Sequence, residues 1–301
     1  MTSLAGRTAI VTGAGRGIGR ATALQLARMG AAVVVNDLGA TVEGTGYDAG
    51  VAAAVVAEIE KAGGQAIANA ASVTDFTGVE RMVAEAVDHF GSVDVLVNNA
   101  GMSTTAPIWE MDPDVFDRVS ASHAKGTFNT IRCVAPHMRA RGWGRIVNLV
   151  SRAGLIGIPG TAAYAAGKGA IFALTNVAAR DLVPSGITVN AVNPGSTGTR
   201  MVLGAVERAR AQGGADAIAR AARIEAALQA PEDVAALIAA LCTEEAGHLT
   251  GQVLFVGRGE IGLFRPLAVE QRTSTEGGAA TVEALLAALR GFRPHPLDGV
   301  Y

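Results

Sequence analysis

A short apolar run, Thr8 to Val11, leads into Thr12-Gly13-Ala14-Gly15-Arg16-Gly17-Ile18-Gly19, and a helical pattern from Arg20 to Met29 follows at once. Strand, glycine loop and helix in immediate succession are the context that a nucleotide-binding turn requires. Glycines there let the backbone bend tightly and approach a diphosphate, whose charge meets the free amides at the helix start. The next strand, Ala32 to Val35, ends in Asn36-Asp37. An acidic side chain at that point is placed to accept hydrogen bonds from an adenosine ribose and to repel a 2'-phosphate, which favours NAD over NADP. Arg16 in the glycine loop is the feature that argues the other way. The plainer alternatives are that Asp37 starts a turn and Arg16 is a solvated surface charge.

Beyond Asp37, residues 38–50 form a Gly-rich loop, long enough in a compact unit to be either mobile or functional. Helix and strand patterns then alternate: helix Val51 to Ala62, strand Gln65 to Ala70, helix Val79 to Phe90, strand Val93 to Val97, helix Val115 to Met138 and strand Arg145 to Val150. After a helix beginning near Tyr164 come strand Thr188 to Val192, a helical amphipathic stretch over residues 200–230, helix Pro231 to Leu241 and strand Val253 to Val256. This alternation predicts an α/β fold, a doubly wound parallel sheet covered on both faces. Asn98-Asn99-Ala100-Gly101 then falls at the sheet edge where such folds bind ligands. Its amides either hold the backbone of the site, meet a ribose or simply form a turn.

Ser151 stands at the same functional edge, thirteen residues before Tyr164 and across a Gly-rich stretch. Tyr164 and Lys168 are one helical turn apart on one face, so a phenol oxygen can lie near an ammonium. A fixed cation favours phenolate over phenol, and a phenolate can take a proton from an alcohol. The Ser151 hydroxyl is placed to hydrogen-bond the same substrate oxygen. Tyr-x-x-x-Lys alone occurs by chance on many helices, and it carries weight here only with the rest of the pattern.

The 301 residues, half of them hydrophobic, are enough for one large domain. A net charge of -2 offers no general attraction to nucleic acid or an anionic membrane. The first apolar run begins too early for a secretory signal and no stretch approaches a membrane span, so a cytoplasmic protein is expected. Cys133 and Cys242 are too few for a disulfide framework or a thiolate site, and no metal is implied. Both read as core residues.

Taken in order and spacing, these motifs resemble the classical short-chain dehydrogenases/reductases from Thr8 to about Val256. The carriers are Thr12-Gly13-x-Gly15-x-Gly17-Ile18-Gly19, Asn98-Asn99-Ala100-Gly101, Ser151, Tyr164-x-x-x-Lys168 and Asn193-Pro194-Gly195. The resemblance implies a Rossmann-type single domain in which Tyr164 is the acid/base, Lys168 lowers its pKa and holds the nicotinamide ribose, and Ser151 positions the substrate oxygen. It also implies that Pro194, Gly195 and Thr197 line the nicotinamide and Val73 contacts the adenine. With Gly13, Arg16, Gly17, Ile18, Gly19, Asp37, Asn99 and Gly101, these complete the expected NAD site. Homodimers or homotetramers are what the family implies.

One position departs from the family pattern. Where its members usually carry an Asn that anchors a water for proton exchange with the Lys, this chain has His123 in His123-Ala124-Lys125-Gly126. His123 either does the same, since imidazole can donate and accept, or is a satisfied half-buried histidine. With Val34-Val35-Asn36-Asp37-Leu38-Gly39 and its long loop, this feature is similar to the hydroxyacyl-CoA dehydrogenase domain of peroxisomal multifunctional enzyme type 2 and its bacterial relatives.

The reading is therefore a catalytic domain over residues 1–256, with a substrate loop at about 196–230. An extension over 257–301 carries one amphipathic helix, Thr281 to Leu289, whose Val282, Leu285, Leu286 and Leu289 must bury somewhere. The expected activity is NAD-dependent interconversion of a secondary alcohol and a ketone, on a hydroxyacyl thioester or a bulky hydroxy compound such as a steroid. The alternatives are a small-molecule carbonyl reductase and an NAD(H)-sensing protein without catalysis.

Overall fold

The computed structural model describes residues 3–265, 271, 282–290 and 292. Its sheet runs β1 (Thr8–Thr12), β2 (Ala32–Asn36), β3 (Gln65–Asn69), β4 (Val95–Asn98), β5 (Gly144–Leu149), β6 (Ile187–Pro194), β7 (Val253–Gly257) and β8 (Glu260–Leu263). In space the order is β3-β2-β1-β4-β5-β6-β7-β8. Every pairing is parallel except β7 with β8. The chain winds outward one way from β1 and the other way from β4, so the crevice between those two strand ends is the switch point where an open α/β sheet receives a ligand.

Alternate residues of one strand feed two separate cores, which is why Ala9–Val11 of β1, Val33–Val35 of β2 and Val95–Val97 of β4 are apolar without a break. On β1, Ala9 and Val11 join Leu26, Val55, Ile59 and Ile238 on one face, while Ile10 joins Val79, Met82, Met138 and Leu182 on the other. The first face is covered by α1 (Gly17–Arg28), α2 (Gly50–Lys61) and α9 (Pro231–Leu241), the second by α3 (Phe76–Phe90), α4 (Pro113–Arg141) and α6 (Ala162–Leu182). Local chemistry sets the helix ends. Asp112 accepts from the amides of Asp114 and Val115 to cap α4, with Pro113 at its first position, and Gly142 stops the same helix at φ +66°.

Three details differ from the sequence expectation. The Gly-rich stretch after Ser151 begins with a short helix, α5 (Arg152–Ile156). The helical stretch expected over residues 200–230, within the substrate loop, is broken into a hairpin of two helices, α7 (Arg200–Gln212) and α8 (Ala215–Ala226). Residues 257–264 belong to the catalytic unit, because Gly257-Arg258-Gly259 turns tightly and lets β8 pair back on β7. The compact unit thus ends at Phe264, and a second one spans Arg265–Tyr301. In that second unit the described helix is α10 (Val282–Leu289), with Val282, Leu285, Leu286 and Leu289 exposed. The polar stretch Ser274 to Gly278 lies outside the described residues. Cys133 and Cys242 are both free and buried, and among the described residues no helix is long and apolar enough to cross a membrane.

At the edge of the sheet away from the switch point, Asp94 is wholly buried and accepts from Arg7, Arg141, Ser92 and the amide of Thr8. Replacing it leaves those donors without an acceptor. Asp94→Ala is expected to lower unfolding stability by about 2–4 kcal/mol in urea titration. Cofactor affinity of the folded fraction should stay unchanged, since the site is at the opposite edge.

Candidate active site

At the switch point the ends of β1 and β4 are knotted together by polar side chains. The Thr12 hydroxyl accepts from the amides of Asn99 and Ala100, each at 3.1 Å, and the Asn99 side chain donates to the carbonyls of Thr12 (3.0 Å) and Gly13 (2.9 Å). Of the three roles open to these asparagines, Asn99 displays the holding of backbone, while the Asn98 side chain donates to Asn148 and accepts from the Thr130 hydroxyl. Gly19 serves the same knot: a Cβ there would run into the Gly13 carbonyl and the Asn99 amide. Its place is in close packing rather than on the cavity wall.

The knot borders a cavity of about 640 Å³. Gly13, Arg16, Gly17, Ile18, Asp37, Val73, Asn99, Gly101, Tyr164, Lys168 and Pro194 all line it. Four expected residues do not. Gly19 is taken up in the knot, and the Gly195 amide donates to the Val256 carbonyl. Thr197 is buried, with its hydroxyl bonded to the Gly195 carbonyl and the Gln229 amide. Ser151 is engaged at the start of α5, where its hydroxyl accepts from the Ala153 amide. Thr199, Arg200 and Met201 line the cavity where Thr197 was expected. Thr199 had a readable signal, since it caps α7 by accepting from the Val202 amide.

The floor of this cavity suits a dinucleotide. Arg16 precedes α1 without a side-chain cap, and the first turn of α1 carries no acidic residue, so its amides remain available to an anion. Asp37 projects from the end of β2 into the groove, its two carboxylate oxygens accepting from the amides of Gly15 (2.8 Å) and Gly39 (2.7 Å). Each oxygen keeps a further lone pair for a ribose hydroxyl. The loop after it, residues 38–49, crosses the groove as a strap. The Val42 carbonyl accepts from the Ser103 amide, Gly44 lies against the Met102 side chain, and Arg200 donates to the Ala40 carbonyl.

At the other end stands the tyrosine. Ser151 caps α5 by accepting from the Ala153 amide, and its hydroxyl is near enough to the Tyr164 phenol to favour the ionised form. Burial raises the Tyr164 pKa, and Ser151 pulls it back down. Lys168 lies 5.7 Å from the Tyr164 ring centre, donates to the Leu149 carbonyl at 2.6 Å, and is lowered by burial to about 7. The counterweight to burial at the phenol is therefore Ser151, where the family pattern led us to expect Lys168.

His123 is fully buried, edge-on to Tyr164 with ring centres 5.2 Å apart. Its Nε2 meets the Met102 carbonyl at 2.8 Å, so that nitrogen carries the proton, and Nδ1 has no partner among the described residues. Gly101 and Gly167 make room for the imidazole, for a Cβ on either would strike it. Burial first, then the Lys168 charge, lowers its pKa to about 3 against the raising effect of the Met102 bond. The imidazole is therefore neutral at any working pH. A pH–kcat/KM profile should show a limb near 7 that belongs to Lys168. His123→Gln is expected to leave that limb in place and Lys168→Arg to remove it from the residual activity.

The sequence model of the family described as short chain dehydrogenase matches residues 7–210. The chain is 38% identical over 260 residues to the 3-oxoacyl-[acyl-carrier-protein] reductase FabG of Staphylococcus aureus, covering 84% of this chain and 97% of that protein. It is 34% identical over 302 residues to the hydroxyacyl-CoA dehydrogenase ChsB1 of Mycobacterium tuberculosis, covering 97% and 90%. A crystal structure of a short chain dehydrogenase from Mycobacterium avium superposes with a TM-score of 0.78 at 36% identity, covering 97% of each chain. The matched span contains the glycine loop, the strand ends and the tyrosine helix that build the cavity, and the chain belongs to the short chain dehydrogenase family.

Proposed function

We propose that the chain is an NAD-dependent oxidoreductase that interconverts a secondary alcohol and a ketone, with Tyr164 as acid/base. The observation that carries this reading is Tyr164, its phenol within the influence of Ser151 and its ring centre 5.7 Å from the Lys168 ammonium, on a cavity floored by uncapped helix amides. The amides of α1 would hold the diphosphate, Asp37 the adenosine ribose, Val73 the adenine, Lys168 the nicotinamide ribose and Pro194 the nicotinamide. When bound, the nicotinamide accepts the carbinol hydrogen as hydride or returns it. The Tyr164 oxygen takes the carbinol proton in oxidation and gives it back in reduction. Ser151 acts through both, steadying charge on the phenol and on the substrate oxygen. Lys168, titrating near neutrality, exchanges the proton onward. With all three residues gathered, the non-catalytic sensing alternative loses its support.

For the substrate we favour a hydroxyacyl thioester, with a bulky apolar hydroxy compound as the broader class. The Ala106 amide donates to the Gly160 carbonyl at 2.9 Å, which brings the loop bearing Ile108 and Trp109 beside Ile158 and the start of the tyrosine helix. Ile108 and Trp109 are 74% and 81% exposed, and Ile156 and Ile158 are exposed on the facing loop. An apolar margin of this kind suits an acyl chain or a ring system. Both curated relatives act, by name, on oxo- or hydroxyacyl groups held by a carrier. As assembly we favour a homodimer or homotetramer, in keeping with exposed Phe128 on α4 and Val177 on α6.

Tyr164→Phe should abolish turnover across an alcohol and ketone panel while NADH binding, followed by fluorescence titration, stays nearly unchanged; retained turnover would refute the assignment. For cofactor choice, Asp37→Asn removes the charge that repels a 2'-phosphate and leaves Arg16 beside it. It should lower kcat/KM with NAD by roughly 10-fold and raise the NADP-to-NAD ratio of kcat/KM.

A further inference from the structure

Between the end of β6 and the start of α9 the chain leaves the sheet and makes the α7–α8 hairpin. The hairpin has a small core of its own in Val206, Ala209, Ala221 and Ile224, and its two helices pack chiefly on each other. Yet its first residues, Thr199, Arg200 and Met201, line the cofactor groove, and Thr199 touches the glycine loop at Gly17. Something at the base must fix them there. We propose that Gln229 is a positioning residue for the reaction, its buried amide pinning that base to the ends of β6 and β7 and so setting where Thr199, Arg200 and Met201 stand over the groove.

Every polar atom of Gln229 is engaged. Its Nε2 donates to the Thr197 hydroxyl (3.2 Å) and the Val256 carbonyl (3.0 Å), and its Oε1 accepts from the Arg258 amide (3.1 Å). The backbone adds two bonds: the Gln229 amide donates to the Ser196 carbonyl, and its carbonyl accepts from the Gly198 amide. The departing and returning strands of the hairpin are thus zipped together at Thr197 and Gln229. Arg258 has the only positive φ, +49°, among the described non-glycine residues. Such a conformation persists only where the surroundings require it, and the bond to Gln229 is one such requirement. A buried amide with both donors and its acceptor satisfied holds one geometry, since any shift leaves a group without a partner.

This inference rests on the groove binding a dinucleotide, so its test reads the clamp and the groove separately. In Gln229→Leu, tryptic cleavage at Arg200, Arg208, Arg210, Arg220 and Arg223 should accelerate without dinucleotide, relative to sites elsewhere in the chain. The NADH dissociation constant should rise about tenfold, and kcat at saturating cofactor should stay close to wild type. If Gln229→Leu does not fold, Thr197→Val, which removes one of the amide's partners, should shift both readouts the same way by a smaller factor. A lower melting temperature with unchanged cleavage ratios and unchanged NADH affinity would overturn the proposal and leave Gln229 a stability residue. Wild-type protein that bound neither NADH nor NADPH would refute the cofactor reading alone, and the cleavage comparison would still decide the clamp.

Discussion

The Thr12–Asn99 knot is the contact on which the rest of the site depends. Two parallel strands whose connections run in opposite directions necessarily leave a crevice at their carboxyl ends, but a crevice is not a binding site until its walls are fixed. Asn99 fixes them by donating to two successive carbonyls of the glycine loop while the Thr12 hydroxyl accepts from two successive amides of the β4 loop. Four hydrogen bonds therefore lock one loop against the other. Gly13 can then sit at φ +61° and Gly17 at +53°, a backbone shape that presents the first amides of α1 to the groove. Gly19 must lack a side chain because the knot occupies its Cβ position.

From this fixed wall the electrostatics follow. Five cationic side chains, Arg16, Arg118, Lys125, Lys168 and Arg200, face the cavity against one carboxylate, Asp37, in a chain whose net charge is -2. Such a concentration of positive charge in one cleft favours a polyanion there. At the Tyr164 end of the cavity the balance is different. Lys168 and Tyr164 are both penalised by burial, which moves the ammonium down and the phenol up, so the two tend toward their neutral forms together. The Ser151 hydroxyl is what counters this for the phenol, and it does so from a strand end on the rigid sheet.

The parallel sheet, the glycine loop and the tyrosine–lysine turn were legible because each is a local pattern: apolar runs of strand length, glycines at fixed offsets, residues four apart on a helix. Asp37 was placed at the cavity by the same logic, since it stands just past the end of a strand, whereas Val73 and Pro194 were expected there through the family resemblance. What escaped was non-local. Nothing in the order of residues tells that the Thr197 hydroxyl is consumed by Gln229, thirty-two positions away, or that Thr199 takes its place on the wall. The α5 turn and the β7–β8 hairpin were missed for another reason. Both are short and rich in glycine, so their periodicity is too brief to rise above a loop.

His123 shows how a departure at one position reorganises its surroundings. An imidazole is larger than a carboxamide, and it fits only because Gly101 in the β4 loop and Gly167 on α6 both leave their Cβ positions empty. Once seated, it spends its one proton on the Met102 carbonyl and turns its ring edge to Tyr164. Met102 in turn lies against Gly44 of the strap, and the next amide, Ser103, donates to the Val42 carbonyl. A continuous path of contacts thus runs from the strap, through the β4 loop and the imidazole, to the Tyr164 ring. Because the imidazole is neutral throughout the working range, whatever passes along this path is position and not charge. Burial first, and then Lys168, disfavours the imidazolium, so Nδ1 stands as a hydrogen-bond acceptor.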